Sequence, residues 1–422
     1  MASWRRYRFS FTPEREPLEQ PALRGRLDVP RWLIGAVCTL SVAISFAEAW
    51  WWPWHGDQLD FAVYMMGAHN LMNSHLYTVG LPYSPHLPYT YPPFSALLFL
   101  PLTVLATEAA AFLWATVNVA ALFAIIALSL SAVRPGMTRA TRLVWTLALL
   151  APATFIEPVS LTLSYGQVNL VLAAIVIADL TGHLRFGERT LPRGVLVGIA
   201  AAVKLVPLIF VLYLFLTRQT RAAWTSVATF VGCSLVAAAF EPSNSWAFWT
   251  KYVVDAQRVG GVTFISNQSL RGALDRLTHH YIGSGPITVL AGFVALAGLW
   301  LAYVAWRRSS SFLGLLVCAA TGLLASPITW AHHMVWVVPV ILWLIWGRDR
   351  PAGGPWYALA TAVLFWWAPI WRVPINATTA LHEHGWQLLE GNAFFFATIV
   401  FMVAIALMLF SRRRTPECAQ RV

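Results

Sequence analysis

An acidic stretch just after the first long apolar segment carries the side chains best suited to proton transfer. Asp57, Asp60 and Tyr64 are spaced three and four residues apart, so a helix would place all three on one side. With Phe61 and Met65 beside them, the pattern predicts a short interfacial helix that holds its acids at the mouth of a site. A carboxylate there is the simplest base that the chain offers, and an inert solvated loop is the alternative interpretation.

A lysine, Lys204, interrupts a long apolar run three residues before Pro207. A charge inside a membrane span costs about 3 kcal/mol on insertion scales and tends to be functional. One interpretation is a structural ion pair with Glu157 or Asp179. The other is a point charge that binds a phosphate, with the proline opening the backbone nearby.

Amide side chains mark two further polar motifs. Gln167 and Asn169 lie within an apolar run, where they either join helices or face a site. Asn267, Gln268 and Arg271 lie in a long loop, and an arginine there is suited to hold a lipid or sugar phosphate through two hydrogen bonds. A solvated loop is the alternative for this second group.

A histidine pair, His332 and His333, opens an apolar run after a proline and a tryptophan. Adjacent side chains point in different directions on a helix, so we expect no shared metal and at least one ring in the site. The four cysteines show no metal-ligand or disulfide spacing. The sequence therefore predicts a site that needs neither a metal nor another cofactor.

The elements that must position these residues are apolar helices. Hydrophobic residues make up 58% of the 422 residues and charged residues 11%, and apolar runs of spanning length recur throughout. The ten-residue alternation of a membrane β-barrel does not occur. The net charge of +11 lies mostly in termini and short loops, which indicates topology and anionic lipid rather than nucleic acid. The sequence predicts an all-α polytopic membrane protein.

Twelve membrane spans with both termini on one side form the predicted architecture. Residues 1–422 make a single integral-membrane domain, with cytoplasmic tails at 1–30 and 411–422, a first external loop at 51–93 and a long external loop at 241–285. Nothing in the sequence indicates a repeat or a separate soluble domain. The predicted spans are 32–50, 94–106, 109–133, 142–156, 159–180, 194–217, 222–240, 286–306, 312–325, 330–346, 356–371 and 393–410.

The positive-inside rule supports most of this topology. The basic loops 218–221, 307–308 and 348–350 fall inside. The loops 134–142 and 182–193 are also basic, but they fall outside when twelve spans are counted. Either the rule fails at these two loops, or an apolar segment near each of them is re-entrant.

Together these motifs resemble the GT-C superfamily of integral-membrane glycosyltransferases. They are most similar to family 87, the polyprenol-phosphate-mannose-dependent α-mannosyltransferases of the mycobacterial envelope. Each motif is weak alone, whereas their order and spacing between spans are specific. The motifs that carry the resemblance are Asp60-Phe61-Ala62-Val63-Tyr64, Tyr91-Pro92-Pro93, Gly166-Gln167-Val168-Asn169, Lys204 with Pro207, Asn267-Gln268-Ser269-Leu270-Arg271, and Ser326-Pro327 through His332-His333.

The resemblance implies a GT-C-type fold in the inner membrane, with short interfacial helices in the outer loops and an active site that faces the periplasm. It implies an inverting transfer of mannose from polyprenyl phosphate mannose to a phosphatidylinositol mannoside or lipomannan, with an α-1,2 linkage. Asp60 matches the catalytic acid position, Asp57 is the alternative base, and His332 and His333 are further catalytic candidates. The candidates for binding the donor phosphate or the substrates are Lys204, Arg271, Asn267, Gln268, Tyr64, Glu157, Gln167 and Asn169.

Other functions are consistent with the same sequence. A lipomannan or lipoarabinomannan branching mannosyltransferase, or an arabinofuranosyltransferase of the same family, would show similar motifs. A transporter or flippase of a lipid-linked sugar would also use a broken helix such as that at Lys204 and Pro207. It would gather its polar residues at the midplane, whereas here they gather toward one side. A structural scaffold would not need interfacial acids and histidines together.

Overall fold

The computed structural model describes residues 30–56, 58–83, 85–182, 185–186, 189–373 and 380–411. This part of the chain is helical, as predicted, apart from its loops and one short antiparallel pairing of β1 Arg185–Phe186 with β2 Arg189–Thr190. The alternative base Asp57 and most of both predicted tails lie outside the described residues.

Eighteen α-helices are described, and seven short 3-10 helices connect or extend them. The α-helices are α1 Arg31–His55, α2 Leu59–His69, α3 Pro93–Phe99, α4 Thr107–Val133, α5 Arg139–Thr154, α6 Glu157–Tyr165, α7 Asn169–Thr181, α8 Val195–Val203, α9 Leu208–Leu216, α10 Thr220–Phe240, α11 Pro242–Thr250, α12 Leu270–Thr278, α13 Ser284–Arg308, α14 Ser311–Ala325, α15 Val337–Trp346, α16 Gly354–Trp367, α17 Trp386–Gly391 and α18 Ala393–Ser411. The 3-10 helices are Leu71–Asn73, Leu100–Val104, Tyr252–Val254, Ala256–Val259, Ala331–Trp336, Pro369–Arg372 and Ala380–His382.

Five of the described helices, α1, α4, α10, α13 and α18, are long and apolar enough to cross a membrane. The number rises to six if α5 and α6, which meet at a bend of 76°, count as one span. Several other apolar helices are shorter, among them α7 and α14. The fold is therefore that of a helical membrane protein, with fewer full-length spans than the hydropathy pattern predicts.

Packing of α1 against α5 shows how a proline is accommodated inside an apolar helix. Pro152 has no backbone N–H, so the carbonyl of Ala148 loses its partner within α5. The hydroxyl of Ser41 donates to that carbonyl at 3.2 Å and accepts from the N–H of Ala151 at 2.9 Å. A helix in lipid needs such a replacement, because no water is present to satisfy the freed group.

The predicted span 94–106 forms only the short helix α3 and the 3-10 helix Leu100–Val104, and the chain turns back after them. Residues that precede and follow this segment lie beside the turn that joins α6 to α7. Tyr91, just before α3, accepts a hydrogen bond from Gln167 at 3.2 Å. Trp114, early in α4, donates to the carbonyl of Gly166 at 2.6 Å. The segment therefore ends on the side where it began.

The predicted span 194–217 is a helical hairpin, which we call the α8–α9 hairpin. Its two helices have nine residues each, or about 14 Å, which is roughly half of a 30 Å hydrocarbon layer. Gly194, at the first foot, has a φ of 99° and lies against the carbonyl of Ala222 near the start of α10, so no side chain would fit there. The second foot leads directly into α10. Both feet lie on one side, and Lys204 lies at the tip.

These two re-entrant segments bring the basic loops to one side of the molecule. Arg134 and Arg348 line one cavity, and Arg193 and Arg218 line another. A third cavity brings Arg193 together with Ser310, which itself donates to Asp349 at 2.6 Å. We call this side the basic face. Of the two explanations for the discordant loops 134–142 and 182–193, this arrangement favours the re-entrant one.

The acidic stretch forms the predicted short helix, and its apolar side packs against other parts of the protein. In α2, Phe61, Tyr64 and Met65 are buried. The Tyr64 ring stacks on Phe99 of α3 with ring centres 4.5 Å apart. Helix α3 and the loop before it cover this apolar side, and Asp60 stays half-buried in the first turn of α2.

Candidate active site

Lys204 lies at the tip of the hairpin, where the backbone leaves α8. The residue is extended, with φ −150° and ψ 132°, and Pro207 precedes α9 as its N-cap. The Lys204 ammonium donates to Asn169 Oδ1 at 3.0 Å and lies 2.9 Å from Nε2 of His333. It is also 5.3 Å from the centre of the Tyr91 ring. Lys204 thus joins three segments that are distant in sequence.

Neither carboxylate that the sequence offers as a structural partner bonds to Lys204 in the described structure. Asp179 accepts from the backbone N–H of Gly194 at 2.8 Å and so holds the start of α8. Glu157 accepts from the indole N–H of Trp371 at 2.5 Å. The ion-pair interpretation is therefore wrong for these two acids, and the lysine charge remains available to a ligand.

The turn between α6 and α7 supplies two amides to the site. Gly166 has a φ of 65° and approaches Phe61 and Gln58 so closely that a side chain would collide with them. The tight turn directs the next two polar side chains to the same place. Asn169 Nδ2 lies 3.5 Å from Gln167 Oε1, so the amides form the middle of a polar chain that ends at Lys204.

Two buried tyrosines extend this chain toward the acidic stretch. Tyr64 donates to Gln167 Oε1 at 2.8 Å and lies 3.1 Å from the hydroxyl oxygen of Tyr91. Burial raises the pKa of Tyr64 well above its usual value, so its hydroxyl is a hydrogen-bond donor at neutral pH. Tyr64 thereby fixes the orientation of Gln167.

Asp60 lies one helical turn before Tyr64 and completes the other end of the chain. Burial raises the pKa of its carboxyl to about 6, against the opposing effects of a hydrogen bond with Gln167 and the charge of Lys204. The carboxyl is ionised at pH 7, yet it is more basic than an ordinary aspartate. A half-buried carboxylate with such a pKa is suited to act as a general base.

The two histidines follow α14 in the 3-10 helix Ala331–Trp336, and they differ in their contacts. His333 meets Lys204, whereas both ring nitrogens of His332 are buried without a hydrogen-bond partner in the described structure. The His332 ring lies edge-on to Tyr165 at 5.8 Å. Its backbone is fixed, because Asn169 donates to its carbonyl at 3.1 Å. The His332 ring thus offers free nitrogens at a fixed place beside the site.

The loop residue Asn267 lies near the histidines, but its amide is engaged with backbone. It accepts from the N–H of Thr329 at 2.9 Å and donates to the carbonyl of Val262 at 2.7 Å. Because Thr329 lies three residues before His332, this amide fixes the segment that carries the histidines. The geometry favours a positioning role for Asn267 over direct contact with a ligand.

The side-chain amide of Gln268 likewise makes its hydrogen bonds to backbone groups. Its Nε2 donates to the carbonyls of Ile265 and Gly391, both at 2.7 Å, and its Oε1 accepts from the N–H of Phe395 at 3.0 Å. Gln268 is fully buried. Its contacts tie the long loop 241–285 to the start of α18.

The predicted phosphate ligand Arg271 lies on α12, where its Nε is 3.9 Å from Oδ2 of Asp275. The buried arginine of this helix is instead Arg276, which the sequence analysis does not single out. Arg276 donates to Asn392 Oδ1 at 2.7 Å and to the carbonyl of Asn267 at 2.8 Å. We call Asn267, Gln268, Arg276 and Asn392 the loop anchor.

Sequence reasoning also misses Tyr91 as a site residue, although the Tyr91-Pro92-Pro93 motif carries a signal for it. Arg276 gives no such signal, because nothing local separates it from Arg271. Among the described residues, no group of three or more His, Cys, Asp or Glu side chains is placed to hold a metal ion.

Known proteins similar to this chain share most of its length. A model of glycosyltransferase family 87 matches residues 89–327. A polyprenol-phosphate-mannose-dependent alpha-(1-2)-phosphatidylinositol mannoside mannosyltransferase of Mycobacterium tuberculosis (strain ATCC 25618 / H37Rv) is 32% identical over 379 residues, which cover 85% of this chain and 87% of the relative.

Two relatives carry the name polyprenol-phosphate-mannose-dependent alpha-(1-2)-phosphatidylinositol pentamannoside mannosyltransferase. The one from Mycobacterium tuberculosis (strain CDC 1551 / Oshkosh) is 36% identical over 371 residues, with 82% of each chain covered. The one from Mycolicibacterium smegmatis (strain ATCC 700084 / mc(2)155) is 32% identical over 345 residues, with 78% of this chain and 81% of the relative covered. No solved structure gives a significant match.

Proposed function

The chain belongs to glycosyltransferase family 87, and we propose that it transfers mannose from polyprenyl phosphate mannose to a phosphatidylinositol mannoside. The bond formed is an α-1,2 linkage, with inversion at C1 of the mannose. The activities named for its relatives support this reaction, since those proteins align with this chain over most of its length.

The observation that carries the proposal is the continuous polar chain from Asp60 to Lys204. It passes through Gln167 and Asn169 and is built from α2, the turn before α7 and the hairpin tip. One end offers a base and the other a fixed positive charge. An inverting transfer from a phosphate leaving group requires this pair of groups, because a proton is removed where the new bond forms and negative charge develops where the old bond breaks.

The reaction balances with these groups. The acceptor hydroxyl attacks C1 from the face opposite the phosphate, and the new O–C1 bond forms as the C1–O bond to phosphate breaks. Asp60 takes the hydroxyl proton, and the bonding electron pair leaves with the polyprenyl phosphate. Lys204 stabilises the charge that develops on this phosphate, and His332 and His333 lie beside it as further partners.

The other predicted residues take supporting roles in this proposal. Tyr64 orients Gln167, and the loop anchor holds the histidine segment. Arg271 remains a candidate for a lipid or sugar phosphate, because its Nε is buried without a hydrogen-bond partner in the described structure. Glu157 remains a candidate for a sugar hydroxyl for the same reason at its Oε2.

The depth of the site favours transfer over transport. α7 runs 13 residues from Asn169 toward the basic face, or about 20 Å, which is roughly two thirds of a 30 Å hydrocarbon layer. A transporter would bind its substrate near the midplane. The positive-inside rule assigns the basic face to the cytoplasm, so the proposed site faces the outer, periplasmic side of the plasma membrane.

The number of crossings follows from the two re-entrant segments. Removing 94–106 and 194–217 from the twelve predicted spans leaves ten crossings (12 − 2), with the start of α1 and the end of α18 on the basic face. This arrangement, with helical loops on the side opposite the basic face, is the GT-C-type architecture that we propose.

The test of the reaction uses purified protein with a phosphatidylinositol mannoside acceptor and one labelled donor at a time. We expect mannose transfer from polyprenyl phosphate mannose and none from GDP-mannose, and an α-1,2 linkage in the product. Equal turnover with the nucleotide sugar would contradict the proposal. Transfer of arabinose, or transfer to lipomannan in place of the phosphatidylinositol mannoside, would assign the protein a different reaction of the same family.

A further inference from the structure

A cavity on the basic face opens between the two feet of the α8–α9 hairpin. One foot contributes Leu191, Pro192 and Arg193, which precede α8, and the other contributes the turn that joins α9 to α10. The polar side chains that line it are Arg193, Arg218, Gln219, Thr220, Arg221 and Thr225. Three of these are arginines, and no acid lines the cavity among the described residues.

Arg218 and Arg221 form no salt bridge in the part of the chain that the structure describes, whereas Arg193 interacts electrostatically with the Asp179 carboxylate. Arg193 donates through Nη2 to the carbonyl of Leu180 at 2.7 Å, which fixes its guanidinium, while its Nε is buried without a partner. Both Arg218 and Arg221 are exposed. Three guanidinium groups around one cavity repel each other unless an anion lies among them, and their planar forks suit a phosphate.

Arg218 stands at a position that ordinarily favours glycine. Its φ is 58°, its N–H donates to the carbonyl of Phe215, and the N–H of Gln219 donates to that of Leu214. This pattern closes the end of α9 as a Schellman motif, in which glycine usually takes the left-handed residue. An arginine there costs about 1 kcal/mol. The chain thus holds a guanidinium at the mouth of the cavity where the backbone favours glycine.

The surroundings of the cavity match a lipid better than a free anion. Trp224 is 63% exposed and packs edge-on against Phe215 with ring centres 5.3 Å apart. Tryptophan at the end of a membrane helix is typical of the interface level. Leu212 and Leu216 are exposed on α9, so acyl chains have an apolar path directly beside the basic group.

We propose that this cavity binds the phosphate headgroup of an anionic membrane lipid on the basic face, on the far side of the protein from the mannose site. A phosphate that contacts Arg193 and Arg218 together joins the two feet of the hairpin. Such a lipid holds the hairpin closed and keeps Lys204 at its tip in place. The proposal does not rest on the transferase reaction, because lipid binding is measured without donor or acceptor.

The test compares lipid retention by native mass spectrometry, with phosphatidylglycerol and phosphatidylcholine as probes. The double variant Arg218→Gly and Arg221→Gln removes two charges, and the glycine suits the backbone of position 218, so the variant is expected to fold. At about fivefold per charge near the surface, we expect phosphatidylglycerol affinity to fall roughly thirtyfold. Arg307→Gln is the matched control, since Arg307 is an exposed arginine that is not among the lining residues.

Four outcomes would overturn the proposal. Retention of phosphatidylglycerol could stay equal in the wild type and the double variant, or fall as much in the control. Inorganic phosphate could displace the lipid at millimolar concentration, which would mark a free-anion site. Amide hydrogen exchange at residues 204–206 gives the third readout. Phosphatidylglycerol nanodiscs should slow this exchange in the wild type but not in the variant, and equal exchange would refute the joining of the feet.

Discussion

Two polar clusters of this protein contain the same residue types but use them differently. The first is the polar chain of side chains that leads from Asp60 to Lys204, together with the two histidines. The second is the loop anchor, which also combines amides with a buried base. In the loop anchor the amides and Arg276 bond mainly to backbone groups. In the first cluster side chains bond to one another, and both ring nitrogens of His332 have no hydrogen-bond partner within the described structure.

The difference separates positioning from chemistry. A buried amide whose hydrogen bonds all go to backbone cannot turn toward a substrate without leaving several groups unsatisfied. A cluster of side chains that ends in a half-buried carboxylate can admit a hydroxyl at small cost. The comparison therefore predicts loss of rate from changes in the first cluster and loss of stability from changes in the second.

The largest expected effect is that of Asp60→Asn, which keeps the size and removes the basicity. Mannosyl transfer should fall by about 10²–10⁴, the contribution of general-base catalysis, while the thermal stability and donor binding persist. Glu108→Gln is the matched control, because Glu108 is an exposed acid at the start of α4. If Asp57→Asn abolishes activity and Asp60→Asn does not, the base is Asp57, one helical turn before Asp60.

Lys204→Ala should reduce turnover at limiting donor by one to two decades. Losing a charged partner of a phosphate is worth about 1.5–3 kcal/mol. Lys204→Arg should restore only part of the rate, because a longer planar group does not fit between Asn169 and His333. The control is Lys251→Ala, which removes the other lysine of the chain. Wild-type turnover in a folded Lys204→Ala variant would place the phosphate elsewhere.

The pH dependence of kcat/KM should report the ionisation of the Asp60 carboxyl directly. Its pKa in the folded protein is about 6, and the reaction needs the ionised form. The rate therefore rises with pH through about 6 and levels off above 7, with roughly a tenfold loss at pH 5. An acid limb near pH 4, where an unperturbed aspartate titrates, would argue against Asp60 as the base.

Gln268→Leu tests the loop anchor. It leaves two carbonyls and one N–H without their partner, so the free energy of unfolding should fall by about 1–3 kcal/mol. Turnover per folded molecule should change little. Gln387→Leu is the control, since Gln387 is exposed. If Gln268→Leu keeps its melting temperature but loses activity, Gln268 acts in the substrate site and not in the loop anchor.

The smallest expected effect concerns Glu383, whose buried carboxylate lies near the loop anchor. Burial raises its pKa to about 7, against the charges of Arg276 and His279. Since the folded-state pKa lies above that of the unfolded chain, its contribution to stability is present at low pH and lost as pH rises through 7. We therefore compare the melting temperature of Glu383→Gln with that of the wild type at two pH values. The difference, variant minus wild type, should be about 2 °C larger at pH 8 than at pH 5. A constant difference would contradict this.

The sequence predicts most members of the first cluster because each is anomalous where it occurs. Lys204 is a charge in an apolar run, and Gln167 and Asn169 are amides in another. The sequence does not show which residue each of these polar side chains bonds to in the folded protein. The saturation of Gln268 depends on carbonyls of residues 265 and 391, whose positions follow from the folded loop and not from spacing.

The direction of the chain is the part of the fold that hydropathy does not predict. An apolar run of about 24 residues reads as one span, because hydropathy measures length and not whether the helix reverses. The break at Lys204 and Pro207 marks the reversal, and the basic loops on both sides give the second indication. Combining the two signals identifies the hairpin 194–217, whereas neither suffices alone.

The α8–α9 hairpin also bears on how the protein is inserted during synthesis. Two nine-residue helices with a lysine between them are too short and too polar at the tip to partition into lipid alone. Their partners flank them in the sequence, because Asn169 precedes the hairpin and Ala222 and Ser226 on α10 follow it. We expect the hairpin to stay near the translocon until α10 emerges and then to enter the membrane together with it. Chain truncations that end before residue 240 should therefore leave position 204 accessible to a thiol reagent when it is replaced by cysteine.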